Sequence, residues 1–367
     1  MTKIYYQTVE DHSLIEKSFS NLLGLVFGTN GASKAEIFKS IFMESVKEIS
    51  VYPQGTVTDR INSSIPGICR KDPSEEELRL IIEMLGYTGA SLSQYPFIQH
   101  EGTHELCHAF ADLLPLVTAA DPEGIIKNGI HCQCHMGMIK ESDPETGELV
   151  HQYYYGKMFI ETMMDIITTI AINYFDISPT SPKTADEILA KPHTEWENAT
   201  TGYSIFTSLT RLAIAAFSNN GSVNYDSVIR SGGSMFTTTT NMNDGSVRYA
   251  NDFLYGILFD PLHIEKEFDQ FMGEGEYRKF CEYLDRLFIY NLQYQRIPEK
   301  DVKYVMKFLP DFLNKKINYY LANGLLTREG ANKITVNFNH IWNSMQNEFN
   351  SYFSNGEISE IKRRANS

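Results

Sequence analysis

Hydrophobic and polar positions change period several times along the chain, and each change predicts an element. Between residues 33 and 49, Ile37, Ile41, Phe42 and Val46 recur at helical spacing and predict an amphipathic helix. The first thirty residues are weakly patterned, and residues 50–71 alternate enough for one or two short strands. Asp72 to Leu85 reads as a helix, with Asp72 as N-cap, Pro73 at the first position, Glu75 as the capping-box partner and Gly86 beyond the end. A second helix runs from Pro96 to Leu114 and is stopped by Pro115. Residues 128–155 predict a hairpin: an alternating segment from Ile130 to Lys140, a turn over SDPETGE, then LVHQYYY. Lys157 to Tyr174 is a third strong helix, and from Tyr249 onward the pattern is almost purely helical. Two stretches interrupt this order. Residues 176–199 carry Pro179, Pro182 and Pro192 in a polar setting, and residues 218–247 are rich in Gly, Ser, Thr and Asn, as in a long loop.

The chemistry is concentrated in Phe97-Ile-Gln-His100-Glu101-Gly-Thr-His104-Glu105-Leu-Cys-His108-Ala-Phe110. HExxH occurs here twice, overlapping, as His100-Glu101-x-x-His104 and His104-Glu105-x-x-His108. Histidines four apart stand one helical turn above one another, so two imidazoles reach one metal ion, and the Glu after the first is placed to take a proton from water. At 100° per residue, Ile98, Gly102, Leu106, Ala109, Phe110 and Leu113 gather on one arc and the His and Glu residues, with Asp112, on the other. The bland alternative is a solvated polar face. It is weakened by the later helix FIETMMDIITTI, where Glu161 and Asp165 lie four apart in apolar surroundings. Two such buried carboxylates need a cation or a hydrogen-bonding partner. A metal held by Glu161, with Asp165 orienting a ligand histidine, satisfies both; the competing reading pairs them with Arg or Lys from the C-terminal helices.

Taken together, His100-Glu101-x-x-His104 (or His104-Glu105-x-x-His108) followed by Glu161-Thr-Met-Met-Asp165 resembles the gluzincin metallopeptidases, the thermolysin-like branch of the zincins, and in particular uncharacterised bacterial proteins of that type. The resemblance covers about residues 95–175. It implies an α+β, mostly helical fold with a zincin-like core and a helical C-terminal region, Zn²⁺ as cofactor, and a peptide or protein substrate. It also implies an edge strand that binds the peptide, for which residues 128–155 are the available source. In that frame the ligands are His100, His104 and Glu161, with Glu101 as general base and Asp165 behind a ligand. The alternative register substitutes His108 as ligand and Glu105 as base. Phe97 and Ile98 before the first motif favour the first register, whereas Glu105 directly after its second His disfavours it. His104 is a ligand in both. Tyr203, at the start of a helix, is a candidate donor to the oxyanion. His131-Cys-Gln-Cys-His135 looks metal-like, but strand alternation turns its Cys and His to opposite faces.

Composition narrows this further. With 32 basic against 46 acidic residues and no basic stripe, nucleic acid and anionic membranes are not expected partners. Five cysteines do not make a disulfide framework, so any metal is left to His and carboxylate. No apolar run approaches a membrane span, and the N-terminus lacks the pattern of a signal peptide, so a cytoplasmic protein is expected. A length of 367 residues suggests two parts: a metal-binding region over 1–175 and a helical region over 200–367, joined through 176–199. The leading expectation is a zinc peptidase. Its rivals are a metal-binding protein without hydrolytic activity, in a structural or sensing role, and a metal-free helical binding protein.

Overall fold

A computed structural model of the protein describes residues 3–5, 8–63, 65–71, 79–118, 138–142, 149–154, 156–175, 185–190, 204–220, 223–292 and 299–354. These residues form a mostly helical α+β structure with a small mixed sheet near the N-terminus. Strands β1 (Lys3–Tyr5), β2 (Val46–Tyr52), β3 (Gly67–Lys71) and β4 (Leu80–Leu85) take the order β1-β2-β4-β3. β1, β2 and β4 run parallel; β3, at the edge, is antiparallel to β4 with Gly67 opposite Met84 and Cys69 opposite Ile82.

The weakly patterned N-terminus contains helix α1 (Val9–Phe27), started by a capping box in which Thr8 Oγ1 accepts from the Asp11 N–H and Asp11 accepts from the Thr8 N–H. Asp11 also accepts from the Tyr87 N–H at 2.6 Å, which fastens α1 to the end of β4. Gly86 serves this junction: a Cβ there would collide with the Asp11 carboxylate and with Val51. Gly86 is therefore not a helix stop, and the expected helix over Asp72–Leu85 is corrected to strand β4 in its second half. Leu80-Ile-Ile-Glu-Met-Leu85 is an apolar run between two neighbouring strands, where periodicity alone does not separate a buried strand from a buried helix. The expected helix at 33–49 divides in the same way. Helix α2 covers Ala32–Ser45, and Val46 begins β2.

Helix α3 (Tyr95–Thr118) begins where expected and runs through Pro115 to the end of its last turn, since proline's fixed φ is helical and only one N–H is forfeited there. It packs on the sheet, on α1 and on α2, where Phe110 meets Phe38 at 4.6 Å and Phe19 at 5.4 Å between ring centroids. Strands β5 (Met138–Ser142) and β6 (Leu149–Tyr154) pair antiparallel, as the hairpin reading required of those residues. Helix α4 (Lys157–Phe175) then packs against α3 and is apolar on nearly every side. Its first turn is held from a distance: Asp285 accepts from the N–H groups of Gly156 at 2.6 Å and Met158 at 2.9 Å.

The second half is helical, with α5 (Ala185–Ala190), α6 (Ser204–Ala216), α7 (Tyr225–Arg230), α8 (Asp252–Phe259), α9 (Pro261–Met272), α10 (Glu276–Leu292), α11 (Glu299–Ala322) and α12 (Arg328–Ser354). The expected long loop at 218–247 contains α7 and a small hairpin, β7 (Thr239–Asn241) with β8 (Val247–Tyr249). Aromatic rings knit the helices together: Phe268, Phe280, Phe308 and Phe312 stack at 4.8–5.7 Å. Buried residues from Leu14 to Met345 join one hydrophobic core, so the metal-motif helices share packing with the C-terminal half. Among the described residues, no helix is long and apolar enough to cross a membrane.

Candidate metal centre

Each histidine of the double motif is buried, although the sequence alone allowed them to be a wet helix face. His100, His104 and His108 are no more than 5% exposed, and Glu101 and Glu105 are nearly as enclosed. The polar arc of α3 faces α4 and β3 rather than solvent. Polar groups in such a place need partners.

Their partners divide the motif in two. His104 Nε2 and His108 Nε2 are 3.1 Å apart, and both approach Glu161 Oε2, at 3.6 and 3.5 Å. These three residues are the group of His, Cys, Asp and Glu side chains that converge closely enough for a metal ion among the described residues. Donors bound at 2.0–2.1 Å around a tetrahedral ion stand about 3.3 Å from one another, so the observed spacing brackets that of a zinc cradle. Two imidazoles and one carboxylate are also a donor set that zinc accepts, leaving a fourth position for water.

His100 is turned elsewhere. Its Nε2 forms an ion pair with Asp165 at 3.1 Å, and Nδ1 lies 3.9 Å from Glu101. Burial alone would lower the imidazole pKa, but the Asp165 and Glu101 carboxylates overcome it and raise the value to about 9. Asp165 also accepts from the Thr207 hydroxyl of α6 at 3.3 Å. Of the residues anticipated from sequence, His104, Glu161 and the alternative ligand His108 are thus brought together. The first-choice ligand His100 stands outside the cluster, with Asp165 paired to it rather than placed behind a ligand of the cluster. Sequence spacing made the two registers equivalent. What separates them is which turn of α3 meets Glu161, a matter of how α4 packs.

The electrostatics of the cluster follow from that packing. Burial pushes the Glu161 carboxyl up, but His108 and His104 outweigh it and hold the group well below the usual carboxylate range. Glu105 goes the other way: burial dominates, and with Glu161 and Glu101 nearby it is raised to about 8 against the opposing pulls of His104 and a backbone hydrogen bond from Cys69. Two features beside the site escaped the sequence reading. One is the approach of edge strand β3 to Glu105, where only a short strand somewhere in residues 50–71 was expected; an isolated glycine in a strand, here Gly67, was the available sign of close approach. The other is Asp285, whose anchoring of α4 joins residues 129 positions apart and leaves no local signal. Tyr203, residues 131–135 and the first part of the expected hairpin lie outside the described residues.

Comparison with known proteins returned no matching family model, no significantly similar curated protein and no significantly similar solved structure.

Proposed function

We propose that the protein is a zinc-dependent hydrolase of gluzincin type acting on peptide bonds, with His104, His108 and Glu161 as ligands and Glu105 as general base. The observation that carries this reading is the convergence of three donor atoms 3.1–3.6 Å apart, from two buried histidines on the helix that also bears Glu105 and from a partly buried Glu161 on the helix facing it. Zinc held there supplies a polarised substrate carbonyl and a bound water of near-neutral pKa. Glu105, one residue beyond His104, accepts the proton of the attacking water and returns it to the leaving amine.

Peptide is favoured as substrate by the strand beside the base. β3 is an edge strand whose inner neighbour is β4, so its other edge offers backbone groups to an extended chain, and Gly67 sets that edge against Glu105. In this reading β3 takes the role that the resemblance gave to residues 128–155. The test is a pair of conservative variants assayed on casein with zinc content measured alongside. Glu105→Gln should keep about one equivalent of zinc and lose hydrolysis by a factor on the order of 10² or more, whereas Glu101→Gln should be mild. Hydrolysis at the wild-type rate by Glu105→Gln, or purified protein free of zinc and unable to bind it, would overturn the proposal.

A further inference from the structure

Glu105 lies with its flank against the backbone of β3. An ideal Cβ built on Gly67 would stand 2.6 Å from Glu105 Cγ and 2.9 Å from Oε1, well inside contact distance. Gly67 is not among the glycines with positive φ, so the backbone path does not call for glycine here; the space does. Neither party yields easily. β3 is fixed to β4 along its ladder and by the Arg70–Glu83 ion pair at 3.0 Å, and Glu105 is 6% exposed with nowhere open to swing. The nearby carboxylates of Glu161 and Glu101 repel its ionised form.

We propose that the β3 backbone at Gly67 is the positioning element for Glu105: the missing side chain at 67 admits the carboxylate, and the strand backbone against its flank fixes its place beside the His104–His108–Glu161 cluster. Gly67 is a positioning residue and not a catalytic one. This inference rests on the proposed function, in which Glu105 is the base.

Gly67→Ala tests it, with Val336→Ala, at an exposed position of α12 outside the site, as the control. Three quantities are read: zinc affinity, binding of acetohydroxamate to the zinc-loaded protein, and kcat and KM on casein. Acetohydroxamate chelates zinc and gives a hydrogen bond to a carboxylate beside it, so it reports Glu105 without turnover. Gly67→Ala should keep zinc, weaken acetohydroxamate binding, and lower kcat on the order of 10²-fold, the cost of displacing a reacting group by about 1 Å, with KM little changed. Val336→Ala should leave all three near wild type. A double-mutant cycle makes the contact itself measurable: Gly67→Ala/Glu105→Ala should recover the thermal stability that Gly67→Ala loses, because the new methyl no longer meets a carboxylate. Wild-type acetohydroxamate binding and kcat in Gly67→Ala, or additive losses in the double variant, would overturn the positioning role while the proposed function stood. A wild type that binds zinc but hydrolyses nothing would defeat the proposed function, and the inhibitor and stability arms would still decide the role of Gly67.

Discussion

Replacing Asp285 by asparagine probes the joint that places Glu161. The carboxylate accepts the N–H groups of Gly156 and Met158, at the start of α4, and Glu161 follows in the next turn of that helix. A helix start leaves amides without intrahelical acceptors, so these bonds fix both the beginning and the rotation of α4. Burial nevertheless dominates the carboxyl, lifting it from 3.8 to about 7 against the opposing backbone bonds and Lys157. A folded-state pKa above the unfolded value means that the protonated form is the one favoured by folding. Its contribution is present in full below about pH 4 and is lost as pH rises through about 7. Roughly three pKa units correspond to an upper bound near 4 kcal/mol across that window. The asparagine side chain of the variant cannot ionise and keeps one acceptor oxygen. Near pH 4 the variant should lie within about 1 kcal/mol of wild type, the worth of one backbone bond, and its stability relative to wild type should then rise with pH toward 8. Urea unfolding followed by circular dichroism at pH 4, 6 and 8 measures this. A relative stability that falls with rising pH would refute the reasoning, because it would mean that the amides, not burial, control the carboxyl.

Two further outcomes follow from the packing of α3. His108→Asn should cost at least 10²-fold in zinc affinity, as removal of a ligand does, while His100→Asn should keep most of the affinity and instead lower stability by about 3 kcal/mol, because it takes the cationic partner from the buried Asp165; competition with a chromophoric chelator and thermal melting separate the two effects. Gly102→Ala should destabilise despite alanine's better helix propensity, since its Cβ would meet Leu14 at 3.1 Å and Met84 Sδ at 3.3 Å; overpacking of about 1–3 kcal/mol exceeds the roughly 1 kcal/mol gained, which denaturant titration reads directly.

How far the sequence carried is clearest at these same residues. Helices α3 and α4 were legible because their apolar period and their ionisable residues agree: the carboxylates of Glu161, partly buried, and Asp165, fully buried, on α4 ask for what the histidines on α3 provide. The sheet was mostly illegible. Leu80–Leu85 is too short and too uniformly apolar to declare its period, and the Gly86 signal mimicked a helix end although Gly86 answers to Asp11 and Val51. The α1 helix was missed because its buried face mixes Asp11 and Ser18 with leucines; Ser18 spends its hydroxyl on Thr103 of α3, at 2.7 Å. Nor does spacing within α3 distinguish His100 from His108. The distinction comes from the first turn of α4, through Asp285, and from its flank, where Thr162 meets Thr210 at 2.5 Å. Contacts so distant in sequence have no local signature.

Anomalous diffraction at the zinc absorption edge, from crystals of the protein loaded with one equivalent of zinc, tests the central claim most directly. The account predicts one peak, about 2.0–2.1 Å from His104 Nε2 and His108 Nε2 and from a carboxylate oxygen of Glu161, with His100 remaining on Asp165. A peak coordinated by His100, or none within reach of Glu161, would contradict it.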